Sequence, residues 1–96
     1  MCIRDSLSVI PFENEDEAIE IANDTPYGLA AYIQTDDMDR AERVSSRLRA
    51  GAVHINGGGF NYGSPFGGFK QSGTGNDLSI HAFDKYTGLK TVWIKY

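Results

Sequence analysis

LAAYIQTDDMDRAERVSSRLRAGAVHIN, residues 29–56, decides the fold. Its opening run, Leu29 to Thr35, is apolar almost throughout, as in a strand covered on both faces. Ala52 to Asn56 has the same character. Between them Met38, Ala41, Val44 and Leu48 step by three, three and four, the spacing of one helical face. The helix starts near Asp36 or Asp37, and Gly51 stands where a C-cap is expected. Strand, helix and strand on short links make an α/β layer with parallel strands. Asp36–Arg40 and Asp39–Arg43 read as acid-before-base pairs along this helix. Arg43, Arg47 and Arg49 fall late in it, where the helix dipole favours cations, and read as an ion-paired surface.

The pattern extends upstream. LSVIPF (Leu7 to Phe12) reads as a buried strand ended by Pro11. In ENEDEAIEIANDTPYG, Asn14 and Glu17 have the spacing of a capping box. Glu15, Asp16 and Glu17 suit the positive end of a helix, as a solvated helix start rather than a cation site. Ala18, Ile19, Ile21 and Ala22 give it a narrow apolar face before Asn23, Asp24, Pro26 and Gly28 stop it. The expected layer is therefore βαβαβ.

Downstream the character changes. GGGFNYGSPFGGFKQSGTG (57–75) holds most of the 11 glycines and the aromatics Phe60, Tyr62 and Phe66. A long loop in a small domain is usually functional. Gly63 and Gly68 have the spacing of a phosphate loop, but Phe69 displaces Lys70 from its place. Gly73 and Gly75 begin GxGxxG, but Leu78 stands where the third glycine belongs. Neither phosphate motif is complete. A pocket wall fits better, because glycines allow close backbone approach and Pro65 fixes the entry to Phe66. Loops that follow buried parallel strands are where α/β folds bind ligands. A helix is expected from Asp77, with Leu78, Ala82, Phe83 and Tyr86 on one side and Gly88 closing it. KTVWIKY then alternates Val92, Ile94 and Tyr96 against Thr91, Trp93 and Lys95, the period of a strand.

Composition bounds the function. A chain of 96 residues with 41% hydrophobic and 23% charged residues is globular rather than disordered. A net charge of −4 gives no basic face for nucleic acid or lipid. No apolar run is long enough to span a membrane. The single cysteine, Cys2, fits a reducing compartment, so a cytoplasmic location is expected. His54 and His81 lack companion ligands and read as packing or surface residues, so no metal site is expected. MCIRDS, residues 1–6, has no apolar region after Arg4 and fits poorly with the LSVIPF run that succeeds it. It reads as foreign sequence, which removes Cys2 as a nucleophile.

Taken together, LSVIPF, DEAIEIANDTPYGLAAYIQT, DRAERVSSRLRAGAVHIN, PFGGFKQSGTG and YTGLKTVWI resemble, in order and spacing, the C-terminal end of the aldehyde dehydrogenase superfamily. The resemblance runs from Leu7 to the last residue and covers roughly a fifth of a full-length member. It implies the C-terminal part of a catalytic domain over residues 7–75, including a substrate-pocket loop. Residues 76–96 would then supply a helix and a terminal oligomerisation strand. The family oxidises aldehydes to carboxylic acids with NAD or NADP through a cysteine thiolate and a glutamate that activates water. Those residues and the cofactor loop lie outside this segment, so no catalytic residue is assigned here. The chain alone is expected to bind no cofactor and to be inactive.

The resemblance makes Phe66 a lining residue of the substrate tunnel, with Phe60 and Tyr62 on the preceding, specificity-setting loop. Asn56, Gly67 and Gly68 would position that loop. Thr91, Val92, Trp93 and Ile94 would pair with a neighbouring subunit in a homo-oligomer, a dimer or tetramer. Asn76 and Asp77 depart from the arginine and glutamate common after SGxG, which puts in doubt any ion pair made there. A short non-catalytic interaction module with the same fold stays open as the alternative.

Overall fold

A computed structural model describes residues 5–59 and 61–96. Helix α1 spans Glu15–Asn23, strand β1 Tyr27–Gly28, strand β2 Ala30–Ile33, helix α2 Met38–Arg47 and strand β3 Ala52–Ile55. Three two-residue strands follow, β4 Phe66–Gly67, β5 Phe69–Lys70 and β6 Asn76–Asp77. A 3₁₀ turn, Ile80–Ala82, leads into the short helix α3, Phe83–Tyr86.

The centre is the β2–α2–β3 unit. Strands β2 and β3 pair in parallel, Ala30 opposite Ala52 through Ile33 opposite Ile55. The ladder is flanked by Ala52 N–H to the Leu29 carbonyl (3.1 Å) and Asn56 N–H to the Ile33 carbonyl (2.8 Å). Helix α1 opens as its sequence dictates. Asn14 is extended and its Oδ1 accepts the Glu17 N–H at 2.9 Å. The Glu17 carboxylate accepts the Glu13 N–H at 2.7 Å, one residue before the usual partner in a capping box. Helix α2 is capped by Asp37, whose Oδ1 accepts the Arg40 N–H at 3.0 Å. The two apolar faces meet at Ile19 and Ala41, the buried apolar side chains among the described residues.

Several expectations are corrected. The acids of α1 are not simply solvated, and the arginines of α2 do not pair along their own helix as Asp36–Arg40 and Asp39–Arg43. Instead they reach across to α1, with Arg40 also 4.0 Å from the capping Asp37. Arg43 grips Glu15 with two hydrogen bonds of 2.7 and 2.8 Å, Arg40 lies 3.4 Å from the same carboxylate, and Arg47 meets Asp16 at 2.6 Å. The Arg43 hydrogen bonds hold the Glu15 carboxyl below its ordinary range and raise the Arg43 guanidinium in return. A bidentate fork on another helix offers better geometry than an i,i+4 reach on the same one.

Gly51 is not the C-cap of α2. Leu48 is, in an extended conformation, and Gly51 instead serves a close backbone approach to Gly67. The helix expected from Asp77 begins later, because Asn76–Asp77 is engaged as β6 and Leu78 and Ser79 have positive φ of 62° and 54°. Finally, LSVIPF and residues 91–96 form no strand, since neither has a ladder partner. Alternation gives a strand its faces but not its neighbour.

The shape follows from those unpaired ends. The radius of gyration is 18.4 Å, against roughly 13 Å for a compact domain of this size. Leu7, Val9, Phe12, Leu89 and Trp93 are all exposed. Among the described residues no helix is long and apolar enough to cross a membrane.

Candidate functional site

The candidate residues occupy the end of β3 and the segment after it. Asn56 closes the parallel pair. Its Oδ1 accepts the Thr35 N–H at 2.9 Å and its Nδ2 donates to the Thr35 carbonyl at 2.8 Å. The side-chain amide thus bonds both backbone groups of one residue, as a further ladder residue would. Asn56 has φ 51° and Gly57 φ 76°, so the chain turns out of the sheet here, with the Gly58 N–H on the Ile55 carbonyl at 3.1 Å. His54 stacks on Tyr32 at 5.0 Å between ring centroids, and its Nδ1 lies 2.8 Å from the Gly58 carbonyl, a packing arrangement.

Phe60 lies outside the described residues. Tyr62 is exposed, and its carbonyl accepts the Ser79 N–H at 3.0 Å. Phe66 is half-buried in β4, which pairs antiparallel with β6, Phe66 opposite Asp77 and Gly67 opposite Asn76. It lines a cavity of about 310 Å³ together with Gly68, Ser72, Gly75, Asp77 and Lys85. Phe66, Gly67 and Gly68 thus come together on one cavity wall, and Tyr62 does not join them.

Close approach explains the glycines of this wall. A Cβ on Gly51 would fall on the Gly67 carbonyl, and one on Gly67 would fall on the Gly75 carbonyl. One on Gly68 would sit 2.9 Å from the Ser72 Cβ. Three backbone segments are therefore stacked with no side chain between them. The next turn of chain is tied back to the centre. Strand β5 pairs antiparallel with β1, Tyr27 opposite Lys70. The Gln71 N–H donates to the Pro26 carbonyl at 2.8 Å and the Gly28 N–H to the Ser72 Oγ at 2.9 Å.

Gly51, Lys70, Ser72 and Lys85 carry no functional signal in the sequence. Gly51 reads there as a helix end, and two-residue strands are too short to show a period.

A larger groove of about 580 Å³ lies between α1, α2 and β2, lined by Phe12, Ile19, Tyr32, Val44 and Leu48, with Glu15 and Arg40 at its rim. Its charged groups already pair with each other, and none of the described candidate residues lines it, so it is a packing groove. Among the described residues no three His, Cys, Asp or Glu side chains gather to hold a metal. The glycine-rich segment does not form a dinucleotide cradle. Gly67 is spent in β4, and Gly75 leads into β6 rather than opening a helix, so no N–H groups converge on a phosphate. Cys2 lies outside the described residues. The assembled groups can shape and line a pocket, and they include no nucleophile and base in contact.

Residues 6–92 match the aldehyde dehydrogenase family. The chain belongs to that family. It is 50% identical over 91 residues to the NADP/NAD-dependent aldehyde dehydrogenase PuuC of Escherichia coli, covering 92% of this chain and 18% of that protein. It is 52% identical over 90 residues to the aminoacetaldehyde dehydrogenase of Pseudomonas aeruginosa, with the same coverage. Among solved structures, the aldehyde dehydrogenase KauB of P. aeruginosa superposes with a TM-score of 0.82 at 57% identity, over 94% of this chain and 18% of that one. The P. syringae indole-3-acetaldehyde dehydrogenase AldA, in complex with NAD+ and IAA, superposes with a TM-score of 0.77 at 56% identity, over 88% of this chain and 17% of that one. The chain thus spans about 18% of the length of the curated relatives it matches. Its architecture, α/β with a parallel strand pair, is part of the aldehyde dehydrogenase fold.

Proposed function

We propose that this chain is the C-terminal part of the catalytic domain of an NAD(P)-dependent aldehyde dehydrogenase that oxidises an aldehyde to a carboxylic acid. Residues 7–75 are the C-terminal part of the catalytic domain and include the substrate-pocket loop, residues 76–96 form the helix and terminal oligomerisation segment, and residues 1–6 are foreign to it. One observation carries the reading: Phe66 stands on a doubly braced ribbon at the wall of a cavity, in a chain that belongs to this family. Phe60 and Tyr62 belong to the preceding loop, which sets specificity for the aldehyde. NAD or NADP is held by other parts of the full-length enzyme, since neither phosphate motif in this sequence is complete. Thr91, Val92, Trp93 and Ile94 form a subunit contact in a homo-oligomer, a role supported by the exposure of Trp93 at 91%. A cytoplasmic location completes the reading, supported by a composition with one cysteine.

Two measurements test it. The 96-residue chain, mixed with NAD or NADP and a panel of aldehydes, is expected to give no reduced cofactor by absorbance. Turnover abolished by mutating a residue within the chain would overturn the reading. In the full-length enzyme Phe66→Ala is expected to change the ratio of kcat/KM between a bulky aromatic and a short aliphatic aldehyde by roughly 10–200-fold, the range of an altered apolar pocket contact. An equal loss for both substrates would make Phe66 structural.

A further inference from the structure

We propose that Lys70 is a positioning residue for the aldehyde pocket, holding the ribbon that carries Phe66 against the end of α1. The inference rests on the function proposed for Phe66. The Lys70 Nζ donates to the carbonyl of Asn23 at 2.8 Å and to that of Thr25 at 3.0 Å. Helix α1 has no basic residue in its own last turn, so no cation of its own offsets the negative end of its dipole. Lys70 supplies the missing cation from 47 residues away in sequence.

The anchor is itself braced. The Asn23 Nδ2 donates to the Arg47 carbonyl at 2.9 Å, and its Oδ1 accepts the Arg49 N–H at 2.8 Å. The ammonium therefore ties the ribbon to the point where α1 and the end of α2 are joined. Lys70 adopts a φ of 55°, a conformation that a residue with a side chain holds only when its surroundings impose it. The β1–β5 pairing, the Gln71–Pro26 bond and the two ammonium bonds all impose it. Phe66 lies four residues earlier on the same ribbon, with Gly67 against Gly51 on one side and Gly75 on the other. Releasing Lys70 frees one end of a short, nearly extended segment whose other end bears the pocket aromatic.

The test uses the full-length enzyme with this segment. Lys70→Met keeps the unbranched stem and removes the charge, and Lys70→Arg keeps the charge and donors. Lys70→Met is expected to move the aromatic-to-aliphatic kcat/KM ratio in the direction of Phe66→Ala by on the order of 10-fold, short of the 10²-fold cost of misplacing a reacting group by 1 Å. It should add nothing further in a Phe66→Ala background, act mainly through KM, and be largely reversed in Lys70→Arg. If Lys70→Met does not fold, Lys70→Gln, which removes the charge and keeps a polar side chain, carries the same expectation. An equal loss for both aldehydes, an effect that adds fully to that of Phe66→Ala, or no restoration by arginine would overturn the inference. If Phe66→Ala itself leaves the ratio unchanged, the proposed function falls and this inference with it. A normal Phe66→Ala response beside an inert Lys70→Met sinks the inference alone.

Discussion

Adding one methyl group at Gly51 would separate two backbones that now touch. A Cβ there would lie 2.7 Å from the Gly67 carbonyl carbon and 3.2 Å from the Gly68 Cα, with the Gly67 oxygen closer still. Carbon atoms rest at about 3.5–4.0 Å, so β4 or the turn before β3 must retreat by on the order of 1 Å. Neither side has a flexible side chain to absorb the shift. Retreat of β4 is opposed in turn by Gly75 behind Gly67. Overpacking of this kind costs about 1–3 kcal/mol in stability. Its larger effect is on the pocket, because Phe66 moves with Gly67, and a 1 Å misplacement can cost on the order of 10²-fold in rate. Gly51→Ala in the full-length enzyme is therefore expected to lose more in kcat/KM than its stability loss alone explains. Thermal melts and steady-state kinetics with two aldehydes give the two numbers. Wild-type kcat/KM for both aldehydes, with the melting temperature also unchanged, would refute the stacked-backbone argument.

Three further outcomes are expected. Asn56→Ala removes two hydrogen bonds to Thr35, worth about 0.5–1.5 kcal/mol each, and urea unfolding of the full-length enzyme should record a loss of about 1–3 kcal/mol for the pair. A loss no larger than that of a neutral surface substitution would contradict it. Because the Arg43 hydrogen bonds depress the Glu15 carboxyl, its stabilisation is complete above the ordinary value near 4.5 and disappears as pH falls below it through the lowered folded value. Melts from pH 7 to pH 3 should thus fall more steeply for wild type than for Glu15→Gln, and parallel curves would remove the role of that pair. Deleting residues 91–96 from the full-length enzyme should reduce the molar mass measured by light scattering, and an unchanged oligomer would exclude the subunit contact.

Much of the centre was legible because local chemistry decides it. Asn14 and Asp37 start helices wherever such residues precede an apolar period, and two apolar runs about a helix apart pair in parallel. Which side chains meet between elements is a different matter. Arg43 has acids within reach along its own helix, and only the packing of α1 on α2 makes Glu15 the better partner. Phe66, Gly67 and Gly68, which line one cavity, stood out in the sequence through composition. The supports at Gly51, Lys70 and Ser72 did not, since they depend on two-residue strands and on contacts between distant parts of the chain. LSVIPF and TVWIKY mark the opposite limit, a pattern that specifies a strand in segments without a strand beside them.

The amide of Asn56 gives the sheet an end that does not depend on the loop beyond it. Because the side chain satisfies both Thr35 groups, the ladder closes before the chain departs, and the left-handed turn at Asn56 and Gly57 sets the departure direction. Past that turn residues 57–59 and 61–65 are exposed, and a Cβ on Gly57 or Gly59 would meet nothing within 4 Å. Gly58 ties the start of this stretch back to β3, through the Ile55 carbonyl and the His54 ring. Lengthening the loop costs little closure entropy, about 0.6 kcal/mol per doubling. A change of length among these exposed residues therefore leaves the register of β2 and β3 to be set by their own ladder and by Asn56.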